Sequence, residues 1–153
     1  MRRPRPLSAA FAALLCGMAV LASGCSLTTA DKQDISADVL KTLDTAHNKA
    51  VELHDATPIC PAAPVCDPPD VHAKHRTILQ TSAAALRSAW AGLIAWKSSS
   101  DPAPPPGTFC PVVKALPDLE TLAVNLGAVK KADADKWLPT IQAAASIVAG
   151  SCP

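Results

Sequence analysis

Two residue types in this chain stand at spacings that could do chemistry: cysteine and histidine. Cys60, Cys66, Cys110 and Cys152 form an even set in the body of the chain, away from the centres of its apolar-periodic segments. In an oxidising compartment such a set suggests two disulfides, and three pairings are available. Cys110 precedes the third helical segment and Cys152 follows the fourth. If those helices are antiparallel, their outer ends meet, which favours Cys110–Cys152. Cys60–Cys66 then pair by elimination, across Pro61-Ala62-Ala63-Pro64-Val65. The main alternative ties loop to loop, for example Cys66–Cys110. Zinc on the four thiolates is disfavoured because none lie at a two-residue spacing. The absence of Cys-x-x-Cys also leaves no support for a redox enzyme of that type.

The four histidines fall into two pairs. His47 and His54 are a double helical turn apart, and His72 and His75 a single turn apart, so each pair shares a helical face. If the first two helices pack antiparallel through their connecting loop, His54 approaches His72 or His75, with Asp55 close by. That constellation could form a metal or proton-sensing site at the end of a bundle. The plainer alternative, which the sequence favours, leaves all four histidines on polar or boundary positions. No His-Glu-x-x-His run accompanies them. Metal binding is therefore disfavoured, with His54, His72 and His75 as its candidates, and no cofactor is expected.

Catalysis has less support still. Glu52 and Glu120 are the only glutamates, no Gly-x-Ser-x-Gly elbow occurs, and the six glycines form no phosphate-cradling loop. The chain is not expected to be an enzyme. The three tryptophans, Trp90, Trp96 and Trp137, carry most of the aromatic surface. Trp96 is expected to face the core. Trp90 is the candidate interface anchor, although core or boundary packing is the commoner fate of such a residue.

The elements that must position these groups are all helical. A first segment, about Asp34–Ala56, places Val39, Leu43, Ala46, Ala50 and Leu53 on one face and ends at Pro58. A second, about Pro68–Lys97, has Asp67 as its expected cap and Pro68 in its first turn. Its stripe runs through Val71, Ile78, Ala85, Ala89, Leu93 and Trp96. Ser98–Gly107, rich in Ser and Pro, reads as a loop. A third, about Pro111–Ala128, is expected to break at Pro117, with Asp118 opening its main part. A fourth, about Ala132–Ala149, has Asp133 as its cap, and Trp137, Ile141, Ala144, Ala145 and Val148 on one side. No segment alternates as a strand should. The expected fold is all-α, a small antiparallel bundle of about four helices stapled by two disulfides.

The N-terminus differs in kind from this body. Met1–Arg5 carries Arg2, Arg3 and Arg5 and no acid, and Leu7–Ala22 is apolar or small without a charge. A basic start, a short apolar run and small residues ahead of a cut mark an export signal. The run is shorter than the ~20 apolar residues of a spanning helix. The precursor holds 14 Lys and Arg against 13 Asp and Glu. Losing Arg2, Arg3 and Arg5 leaves 11 against 13, a mildly acidic body. Nucleic acid is not an expected partner, because phosphate binding needs a clustered basic face.

Leu21-Ala22-Ser23-Gly24-Cys25 resembles the lipobox of bacterial lipoproteins, with Gly24 at the favoured place and Ala22 where Leu, Val or Ile is commoner. The resemblance covers residues 1–25 only. It implies cleavage before Cys25, acyl chains on that cysteine (palmitate among them) and a membrane anchor. The organisation it implies is a signal peptide over 1–24, a lipidated polar tether over 25–33 and a helical domain over 34–153. In Gram-negative members Asp after the cysteine favours the inner membrane. Ser26 instead resembles the outer-membrane case, facing the periplasm or the cell surface. The expected function is a membrane-anchored, non-enzymatic envelope lipoprotein that binds another envelope protein. The alternatives are a phage or prophage superinfection-exclusion lipoprotein, a histidine-based metal or small-ligand binding module, and a structural envelope protein.

Overall fold

The computed structural model describes residues 27–61 and 66–149, all in helices and the loops that join them. Cys25 and Cys152 lie outside the described residues, as do the side chains of Trp137, Ala144, Ala145 and Val148. Four helices follow one another in the described chain: α1 Thr29–Ala56, α2 Pro69–Lys97, α3 Cys110–Asn125 and α4 Lys131–Ala149. Among the described residues there is no strand, only an isolated parallel bridge between Ile59 and Asp67. None of these helices is long and apolar enough to cross a membrane.

Helix α1 starts ahead of the expected Asp34 because Thr28 and Asp31 form a capping box. The Thr28 hydroxyl accepts from the Asp31 amide at 3.1 Å, and the Asp31 carboxylate accepts from the Thr28 amide at 3.0 Å. Two donors that would otherwise be orphaned at the helix start are thereby satisfied. The expected tether over 25–33 is corrected accordingly, since most of its polar residues form the opening turns of α1. The Thr28 hydroxyl and amide also hold the Asp31 carboxyl below the usual carboxylate range.

Helices α1 and α2 are antiparallel along their whole length. Lys97 Nζ meets Asp34 Oδ1 at 3.1 Å at one end. Trp90 Nε1 donates to Asp44 Oδ2 at 2.6 Å in the middle. The His54 and His72 rings lie 4.0 Å apart at the other end. The core between them holds Leu40, Leu43, Leu86, Ala89, Leu93 and Trp96. Large apolar side chains buried in this way each contribute about 1.5–3 kcal/mol. A second cluster of Ala50, Leu79, Leu119, Leu122 and Ala123 continues the core toward the histidine end. Alanine at 37, 50, 85, 89, 123 and 134 lets the helices approach closely.

The loop after α2 folds back on that helix. Trp96 Nε1 donates to Asp101 O at 3.0 Å, and the Thr108 side chain packs directly over Gly92. Helix α3 runs without a break through Pro117, which corrects the expected start at Asp118. Pro117 is exposed while Leu116, Leu119 and Leu122 on its flanks are buried, so packing holds the helix across one missing amide bond. The helix ends at Asn125, not Ala128. Gly127 (φ 75°) donates to Val124 O and Ala128 to Ala123 O, the paired bonds of a Schellman stop. In α4, Asp133 sits in the first turn and not at the cap position, and Ala134 and Ile141 are buried against the rest of the bundle.

One disulfide has both halves among the described residues: Cys60–Cys66, in the α1–α2 loop. Cys110 at the start of α3 is buried and engaged in a disulfide. The fold is thus helical and disulfide-stapled, with one staple described where two were expected.

Candidate metal centre

The end of the bundle formed by the α1–α2 connection gathers ionisable side chains. His54 lies in the last turn of α1, and His72 and His75 lie in the first two turns of α2. Asp67 closes the loop between them. The loop is pinned at its neck by two backbone bonds, Cys60 N to Asp67 O and Asp67 N to Pro58 O, both 3.0 Å. The Cys60–Cys66 disulfide lies immediately inside that neck.

His75 Nδ1 donates to Asp67 Oδ2 at 3.1 Å, and both residues are half-buried. This bond explains why α2 has no side-chain cap. Asp67, expected to cap the helix, turns its carboxylate to His75 instead, and Pro68 takes the cap position. The His54 ring is 6.0 Å from the His75 ring, edge-on, and 4.0 Å from the His72 ring, tilted by 33°. One ligand atom from each of His54, Asp67 and His75 lies within 4.8 Å of the others.

His54 is the unusual member. It is 2% exposed, yet neither ring nitrogen has a hydrogen-bond partner. Among the described residues these are the only buried side-chain nitrogens or oxygens so placed. Buried polar groups are nearly always paired, and one left unmet is a strain or a site waiting for a ligand. Burial pushes the His54 pKa below its ordinary value, and His72 pushes the same way; Asp55 pulls against them, and His75 and Arg76 add smaller downward pushes. On balance these effects favour the neutral ring, the form that binds a metal.

The polar-surface alternative for the histidines does not hold. His47, His54 and His72 are buried and His75 is half-buried. His47 is separate from the centre and structural, with Nε2–H donating to Leu79 O at 3.0 Å across the α1–α2 seam. Asp55 is exposed and contributes only its charge. Asp67 is the residue that sequence reasoning missed. Its neighbour Cys66 and its position one loop before His75 were the available signal. Trp90, the candidate interface residue, is half-buried and held by Asp44. Trp96 is buried, as expected.

Imidazole and carboxylate together suit zinc and its first-row neighbours better than calcium or magnesium, which prefer all-oxygen shells. Tetrahedral zinc with bonds near 2.0–2.1 Å needs ligand atoms about 3.3 Å apart. The three ligand atoms would draw in modestly from their present spread. Compared with protein-family models, curated proteins and solved structures, the chain matches none.

Proposed function

We propose that this chain is an envelope lipoprotein, anchored through lipid on Cys25, whose helical domain binds a divalent transition-metal ion between His54, Asp67 and His75 without catalysing a reaction. The observation that carries the metal reading is the buried His54 with both nitrogens unmet, beside a carboxylate–histidine pair. Binding would displace no existing partner of His54.

The test is titration of the full-length protein in detergent with Co²⁺ and Zn²⁺. The expected result is one ion per chain, a Co²⁺ visible spectrum typical of nitrogen and oxygen ligands, and loss of binding in His54→Leu and His75→Leu. Absence of binding by calorimetry and native mass spectrometry at micromolar metal would reject the reading. The anchor is tested separately, by palmitate labelling that Cys25→Ser abolishes. Membrane fractionation then checks the outer-membrane placement suggested by Ser26. The second staple, Cys110–Cys152, belongs to the same proposal and is read by non-reducing peptide mapping.

A second reading, docking of an envelope protein, is favoured by one observation. Ile94 is 62% exposed, one turn beyond Trp90 on the same side of α2. A photocrosslinker at position 94 should capture a reproducible partner in the native membrane. Labelling no stronger than that of a probe at exposed Arg87 would reject it.

A further inference from the structure

We infer that the Cys60–Cys66 disulfide sets the affinity of the His54–Asp67–His75 centre, so that a thiol reductant loosens its hold on the metal. The inference rests on the metal-binding reading above. Its structural basis is the position of Asp67. Asp67 directly follows Cys66, and its carboxylate is the one ligand of the three that does not come from a helix. Both of its main-chain bonds run to the opposite strand of the loop neck, to Pro58 and Cys60. The disulfide joins the same two strands one residue inward, with its Cα atoms 5.1 Å apart.

Nothing else described in this loop ties the strands together. Pro61 and Pro64 have no amide proton to offer. His54 is close to the same neck on the other side, since the Thr57 amide caps His54 O at 3.1 Å and Pro58 follows. The disulfide therefore clasps the segment that leaves His54 to the segment that enters Asp67. Opening it leaves a short neck held by two exchangeable backbone bonds, and the carboxylate loses its fixed approach to His75. Groups that orient metal ligands typically change affinity by about 10–100-fold when removed.

The step balances with glutathione as reductant. The Cys60–Cys66 bond breaks through a mixed disulfide, each protein sulfur ends as a thiol, and two glutathione molecules leave joined as their disulfide. Both cysteines are half-buried and lie outside the core clusters.

Linkage supplies a test on the unaltered protein. If the disulfide strengthens zinc binding, zinc must stabilise the disulfide by the same factor. Full-length protein is equilibrated in glutathione buffers with free Zn²⁺ held either near zero or at a saturating level. The fraction of Cys60–Cys66 reduced is read by alkylation and mass spectrometry. Zinc should shift the reduction equilibrium constant by about tenfold or more against reduction. Asp67→Asn should largely remove that shift, and Cys60→Ser/Cys66→Ser should weaken zinc binding by a similar factor. An unmoved equilibrium overturns the inference. So does easier reduction with zinc, which would make the freed thiolates the better ligands. Zinc binding to the oxidised protein is measured first. Its absence rejects the metal reading, whereas binding with an unmoved equilibrium rejects only the coupling.

Discussion

Replacing His54 with leucine should stabilise the metal-free protein while abolishing its response to metal. The magnitude follows from what surrounds the ring. Both nitrogens are buried without a partner, and leaving such a group unmet costs about 1–3 kcal/mol. Leucine has similar bulk and nothing to satisfy. Against that gain stands the ring contact with His72 at 4.0 Å, a kind of contact that contributes about 0.5–1.5 kcal/mol. The balance favours His54→Leu by roughly 1 kcal/mol in chelator, equivalent to a rise in Tm of about 3 °C for a domain of this size. Metal reverses the order. Free Zn²⁺ at a hundred times its Kd adds about 2.7 kcal/mol to the native protein and nothing to a variant that cannot bind it. The assay is urea unfolding of both proteins in EDTA and again in buffered zinc. A loss of about 2 kcal/mol or more in EDTA would refute the reasoning, because it would mean that the ring makes bonds in solution that the structure does not show.

Three further perturbations test other parts of the argument. Burial lowers the His54 pKa, so below its ordinary range the unfolded chain takes up a proton that the folded chain resists. The cost of burying His54 should be smallest above about pH 6.5 and should grow as the pH falls from there toward the lowered folded-state value. Urea midpoints at pH 7.5 and pH 5.5 should show this in the native protein, and the His54-dependent part should vanish in His54→Leu. Gly92→Ala places a methyl group against the Thr108 side chain and should destabilise by about 1–3 kcal/mol. Thr108→Ala in the same chain should restore most of that loss in thermal unfolding, and a variant that gains nothing from it would contradict the packing. Trp90→Phe removes the 2.6 Å bond to Asp44 and should cost about 1 kcal/mol, with no further loss when Asp44→Ala is added.

The helices were legible because their apolar residues recur with helical period and their ends carry Pro and Gly. Their boundaries were less so, since local chemistry decides them. Thr28 and Asp31 read as tether residues until paired as a cap, and Pro117 reads as a break until Leu116 and Leu119 are seen buried on either side. The histidines were grouped correctly and their setting misjudged. Positions 40, 43, 47, 50 and 54 form one stripe on α1, and 72, 75, 79, 82, 86, 89, 93 and 96 form one stripe on α2. His47, His54 and His72 therefore occupy core positions, and His75 the core's edge, in places that leucine and alanine fill further along. Scored by residue type they looked like surface, but scored by phase they belonged inside. Asp67 was the least legible member, with only its place between Cys66 and His75 to mark it. Its role depends on the loop neck bringing its carboxylate to His75, and helix-cap chemistry explained the same residue equally well.

Helix α1 connects the two proposals geometrically. Cys25 precedes the Thr28 cap by only a few residues, whereas His54 stands in the last turn of the same helix. At 1.5 Å per residue, the chain from Thr28 to His54 spans about 40 Å of helix axis. An anchor at Cys25 thus ties the domain by the end that carries Asp34 and Lys97, and puts the histidine end at the far end of α1. If α1 stands upright on the bilayer, the metal centre and the Cys60–Cys66 loop project beyond the headgroup layer, open to soluble ions and reductants. If α1 lies flat, the same groups sit at the lipid surface. Quenching of a fluorophore at position 59 by lipid-phase quenchers separates these cases. Weak quenching there, with strong quenching at position 32, is expected for the upright arrangement. Equal quenching at both positions would mean that the helix lies along the membrane.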